Sequence, residues 1–94
     1  LPKNNSFLIS DLDIKFNKAF ENISALERTI APDDLLKLYA FNKQAKTGNT
    51  SSLDSSKDGL VNGFKFNAWN QLTGMSQEKA KKEYIKLANS ILKK

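Results

Sequence analysis

Ala80, Tyr84, Leu87, Ala88 and Ile91 recur at intervals of four, three, one and three. Those intervals bring them to one side of an α-helix and to no single side of a β-strand, whose faces alternate every second residue. The C-terminal segment is therefore read as an amphipathic helix that needs a partner for its apolar stripe. Ser76 supplies an N-cap, with Gln77 and Glu78 behind it. Lys93 and Lys94 lie near the other end, where the helix dipole favours positive charge.

The same period recurs upstream. Leu12, Phe16, Ala19, Phe20, Ile23 and Leu26 form one apolar face, with Asp11 and Asp13 in the first turn. A second helix opens at Ala31-Pro32-Asp33-Asp34, because proline at the first helical position gives up only a donor that has no partner there. It carries Leu35, Leu36, Leu38, Tyr39, Ala40 and Ala45 and stops at Gly48. Phe66, Trp69 and Leu72 mark a third helix over about 64–73, stopped by Gly74. No strand alternation of useful length occurs. The expected fold class is all-α, a four-helix bundle, with residues 1–11 as an N-terminal leader and 12–94 as a single helical domain. Between the second and third helices, Gly48 to Gly63 reads GNTSSLDSSKDGLVNG, a length that lets the chain cross over the bundle.

Composition removes whole classes of chemistry. The chain has neither cysteine nor histidine, which excludes disulfides, thiolate zinc sites, a cysteine nucleophile and the commonest general base. No nucleophile–base–orienter set can be assembled, so no enzymatic activity is expected, and no cofactor. The stretch Asp54–Gly59 has the glycine of a calcium loop at its sixth position, but the third position is Ser56 and the twelfth, counted on from Asp54, is Lys65, a cation that would repel the metal. It is read as a turn, and no metal site is expected. Asn22-Ile23-Ser24 and Asn49-Thr50-Ser51 match the glycosylation pattern, with no secretion signal to support it. The expected location is cytoplasmic.

The formal net charge of +5 points to an anionic partner. A basic helical nucleic-acid-binding domain is one reading, weakened because Arg28 is the single arginine. A membrane-surface role would need an apolar face that the core already requires, so no stable membrane insertion is expected. A more pointed arrangement is Tyr39 with Lys43, four residues apart on one helix face, where a phenol and an ammonium can hold a phosphate. Leu35 and Leu36 continue that surface as apolar. Lys65 and Tyr84 add a cation and a phenol from the later helices; from spacing alone, the plainer reading is that both tyrosines are core aromatics with wet tips and the lysines are solvated.

The order of these residues resembles the acyl-CoA-binding protein family from about Leu12 to the C-terminus. Leu36, Tyr39, Lys43-Gln44-Ala45 and Gly48 match its most characteristic stretch. Lys65, Ala68-Trp69-Asn70, Leu72, Gly74, Ser76, Ala80 and Tyr84-Ile85 match the second half with no gap between the blocks, and Phe16 and Ala19 fit the first helix. The resemblance implies a four-helix bundle with a long overhand connection between helices two and three. It also implies non-catalytic binding and carriage of long-chain acyl-CoA thioesters by a monomer that binds no nucleic acid. Tyr39, Lys43, Lys65 and Tyr84 then occupy the family's ligand positions, with the two lysines near the ribose 3′-phosphate. Phe20, Leu35 and Leu36 border the acyl chain. Asn42 stands where the family usually has an adenine-contacting tyrosine, and Phe41, beside it, points about 100° away on a helix. Ser24, Thr29 and Val61 stand where basic residues are common, and Phe66 where tryptophan is.

Overall fold

A computed structural model of the chain describes residues 10–49 and 60–93. They form four helices, α1 Asp11–Ser24, α2 Pro32–Thr47, α3 Leu60–Asn70 and α4 Gln77–Leu92. Among the described residues there is no strand, and no helix is long and apolar enough to cross a membrane.

The helix ends follow local chemistry. The Asp13 amide donates to the Ser10 hydroxyl at 3.1 Å and the Lys79 amide to the Ser76 hydroxyl at 3.0 Å, so each hydroxyl satisfies a donor with no partner inside its helix. Pro32 opens α2 with Asp33 and Asp34 in its first turn. Gly48 follows α2 at φ 87°, a left-handed conformation that a side chain disfavours.

Two boundaries differ from the sequence reading. The apolar face of the first helix continues to Leu26, but α1 ends at Ser24, and Leu26 keeps its place by bonding its amide to the Ile23 carbonyl in a tighter turn. The third helix begins at Leu60 rather than near Phe64 and ends at Asn70 rather than Thr73. It runs through Gly63, which has no positive φ, so this glycine is a helical residue and not a stop. Gly74, at φ 96°, closes a separate turn after α3. The connection from α2 is thus residues 48–59. The Asp54–Gly59 turn reading lies outside the described residues.

Among the described residues, α4 packs against α1 and α2, and α3 packs against α2. The core lies around α4: Ala80, Tyr84, Ala88 and Ile91 are buried against Phe16 and Ala19 of α1 and Leu38 and Ala45 of α2. Ala80 and Ala88 have no exposure at all, which places the neighbouring backbones close to α4. A larger side chain at either position would overpack the seam, at a cost of about 1–3 kcal/mol. Asp13 pairs with Lys81 at 2.5 Å, and the ammonium holds the carboxyl below its ordinary range. Arg28, between α1 and α2, donates to the Ile91 carbonyl and covers the last turn of α4.

These contacts give the chain direction. Phe16 meets Tyr84 with ring centroids 5.0 Å apart, and Asp13 meets Lys81, so α1 and α4 run parallel. Gln77 donates to the Ala45 carbonyl while the start of α2 lies near Ile91, so α2 and α4 run antiparallel. Lys65 meets Tyr39 and Trp69 meets Lys43, in the same order along both helices, so α2 and α3 are parallel. Parallel neighbours need a connection that returns along their length. The overhand topology is this requirement, and a connection of this length has the reach for it at about 3.3 Å per extended residue.

Candidate functional site

On α2, Leu35, Tyr39, Lys43 and Lys46 follow one another at spacings of four, four and three and share one face, with Asn42 at its edge, three residues after Tyr39 and four before Lys46. This face turns away from the core, and α1 and α3 flank it. Leu35 is half exposed, as is Phe20, which reaches the same face from α1. The surface has a polarity along the helix: apolar at Leu35, phenolic at Tyr39 and cationic at Lys43 and Lys46. The cationic end lies roughly 16 Å from Leu35 at 1.5 Å per residue.

Each of the lysines here sits on an aromatic ring. Lys65 of α3 lies 5.4 Å from the centroid of Tyr39, Lys43 lies 4.9 Å from that of Trp69, and Lys46 lies 4.8 Å from that of Phe20. The ring face attracts the ammonium by its quadrupole, worth about 0.5–1 kcal/mol at exposed sites. The contact fixes the cation without neutralising it. Among the described residues no carboxylate pairs with these lysines, whereas Lys79, Lys81 and Lys82 pair with Glu83, Asp13 and Glu78. The positive charge at this end of α2 is therefore held in place and open to an anion.

A buried polar network sets the α2–α3 spacing on which these contacts depend. The Trp69 indole donates to Gln44 Oε1 at 3.0 Å and to the Gly48 carbonyl at 2.8 Å. Gln44, fully buried, donates in turn to the Met75 carbonyl at 2.7 Å and to Asn49 Oδ1 at 2.9 Å. Asn49 Oδ1 also accepts from the Gly74 amide at 3.0 Å. The Asn49 side chain matched above as a glycosylation acceptor is thus engaged in the fold.

The remaining expected site residues lie elsewhere around this face. Tyr84 is 2% exposed and packs on Phe16 and Phe20; burial pushes its phenol up to about 12. Phe41 lies on the opposite side of α2 from Tyr39, packed against the core. Leu36 and Phe41 line a cleft of about 560 Å³ between α2 and α3, closed on its other side by Phe64, Ala68 and Leu72. Leu35 and Phe20 do not line that cleft. Lys46 and Phe64 escaped the sequence reading. Phe64 is 61% exposed at the start of the expected third helix, and Lys46 stands two residues before Gly48. Its spacing of seven from Tyr39 was the available signal. Among the described residues no group of acidic side chains could hold a metal ion.

The sequence profile described as acyl CoA binding protein matches residues 13–88. The chain belongs to the acyl-CoA-binding protein family. The acyl-CoA-binding protein of Saccharomyces cerevisiae is 38% identical over 82 residues, covering 84% of this chain and 91% of that protein. The Drosophila melanogaster homolog is 36% identical over 83 residues, covering 85% and 93%. The crystal structure of Oryza sativa acyl-CoA-binding protein 2 superposes with a TM-score of 0.79 at 30% identity, covering 87% of this chain and 91% of that one. Membership in the acyl-CoA-binding protein family agrees with the four-helix, all-α architecture.

Proposed function

We propose that this protein binds long-chain fatty acyl-CoA thioesters in the α2 groove and carries or buffers them without acting on them. The observation that carries the reading is the polarity of that groove. This face of α2 offers the exposed Leu35 at one end and ring-held, unneutralised lysines at the other. An acyl-CoA has the matching form, an apolar chain joined to a polyanionic head. In this reading Lys43 and Lys65 hold the phosphate of the ribose, Tyr39 and Tyr84 offer phenol donors, and the chain lies over Leu35, Leu36 and Phe20. The protein works as a monomer in the cytoplasm.

Each methylene removed from water contributes roughly 0.8 kcal/mol, so affinity should grow with chain length until the apolar surface is covered. Ordering a mobile chain offsets part of that gain. The test is calorimetry with free CoA and a series of saturated acyl-CoA thioesters. Binding should tighten along the series, with free CoA weakest. Equal affinity for free CoA and the palmitoyl thioester would refute the groove assignment.

A further inference from the structure

We infer that Lys46, seated on the Phe20 ring, is a further phosphate-binding position of the groove, holding the ligand's anionic head from the α1 side. The inference rests on the acyl-CoA reading above.

Lys46 is exposed, and it follows Tyr39 and Lys43 on one face of α2 at spacings of seven and three. A helical side chain covers the turn N-terminal to its own Cα, so Lys46 lies over Asn42 and Lys43. Its ammonium is held 4.8 Å from the Phe20 centroid, across the gap between α2 and α1. Lys43 leans the other way, onto Trp69 of α3. The two cations therefore bracket the groove from opposite sides. Asp13 lines the small cleft beside Lys46, and it is already engaged by Lys81 at 2.5 Å. No described carboxylate competes for Lys46.

The charge balance gives this position a role. An acyl-CoA head carries a phosphomonoester and a diphosphate, together more negative charge than Lys43 and Lys65 neutralise. Lys46 adds a third cation to the groove, from the α1 side. Phe20 makes that cation useful: it removes much of the freedom a lone surface lysine would lose on binding, and it does so without neutralising the charge.

The test compares Lys46→Gln with the wild type by calorimetry, using palmitoyl-CoA and palmitoyl-pantetheine, which lacks the phosphates of the head. Lys46→Gln should weaken palmitoyl-CoA about fivefold at low salt, the factor of a well-placed exposed charge pair, and leave palmitoyl-pantetheine unchanged. The ratio should shrink as salt screens the contact, and Lys46→Arg should restore most of the affinity. The melting temperature should move little, because the side chain is on the surface. Unchanged palmitoyl-CoA affinity, or an equal loss with both ligands, overturns the assignment of Lys46. A wild-type protein that binds neither ligand overturns the functional reading itself, so the two failures are distinct.

Discussion

The indole Nε1 of Trp69 donates to Gln44 Oε1 at 3.0 Å, and both side chains are sealed from solvent. Gln44 spends its amide on the Met75 carbonyl and Asn49, so one side chain joins α2 to α3 and to the turn that precedes α4. Burying an amide is unfavourable unless its bonds are made, and here they are made on both sides.

Gln44→Ala should therefore be among the most destabilising single changes in the chain. It opens a cavity and removes bonding partners from buried groups, each worth about 1–3 kcal/mol. We expect a loss of roughly 2–4 kcal/mol in urea unfolding, or a fall of more than about 8 °C in the melting midpoint. A change within experimental error would mean that water takes over the bonds of Gln44.

Tyr84 sets an alkaline limit. Its phenol is pushed up to about 12 in the fold, against about 10 in an unfolded chain. Below about pH 10 the group is neutral in both states and adds no pH dependence. Between about pH 10 and 12 the unfolded chain releases the proton while the folded one keeps it. Stability then falls as pH rises, by at most about 1.4 kcal/mol per unit. Tyr84→Phe lacks this loss, so its melting midpoint should gain on the wild type only above about pH 10. Midpoints that run parallel from neutral to alkaline pH would show that the phenol is hydrated in the fold.

The elements that were legible in the sequence are those specified locally. The period through Ala80, Tyr84, Ala88 and Ile91 names the buried side of α4, Ser76 caps it, and Pro32 opens α2. The start of α3 was not legible, because Gly63 reads as a breaker, yet the helix runs through it without a positive φ. Spacing also does not reveal that α2 and α3 are parallel, since that depends on which residues meet across the seam. For the same reason Tyr39 and Lys43 could be placed on one face, but no period within one helix could place Lys65 over Tyr39 or Lys46 over Phe20. These contacts come from the packing of one helix against another.

Lys43→Ala and Lys65→Ala test the placement of the ribose phosphate. A hydrogen bond to a charged group is worth roughly 1.5–3 kcal/mol, so each variant should bind palmitoyl-CoA about tenfold or more weakly. The loss should be much smaller for the analogue without the 3′-phosphate. Both variants should fold, since neither lysine belongs to the core cluster, with at most about 1 kcal/mol lost from the ring contacts. Unchanged affinities for both ligands would move the phosphate elsewhere.

Asn42 gives the final prediction. It lies one turn before Lys46 on the groove face and is half-buried, at the position where the resemblance implies a tyrosine against the adenine. An amide offers hydrogen bonds but little flat apolar surface. Phe41 does not replace the ring, because it faces the core and the α2–α3 cleft on the other side of the helix. Stacking of a base on an aromatic side chain is worth roughly 1–3 kcal/mol in single-stranded nucleic-acid complexes, a close physical analogue. Asn42→Tyr should therefore tighten palmitoyl-CoA binding about fivefold or more. Tyrosine and asparagine are similar in helix propensity, so the melting midpoint of the free protein should hardly move. The gain should vanish with palmitoyl-pantetheine, which has no adenine, and that comparison separates stacking from a general effect on the groove. An unchanged or weaker affinity for palmitoyl-CoA would place the adenine away from this turn of α2, beside another ring of the groove.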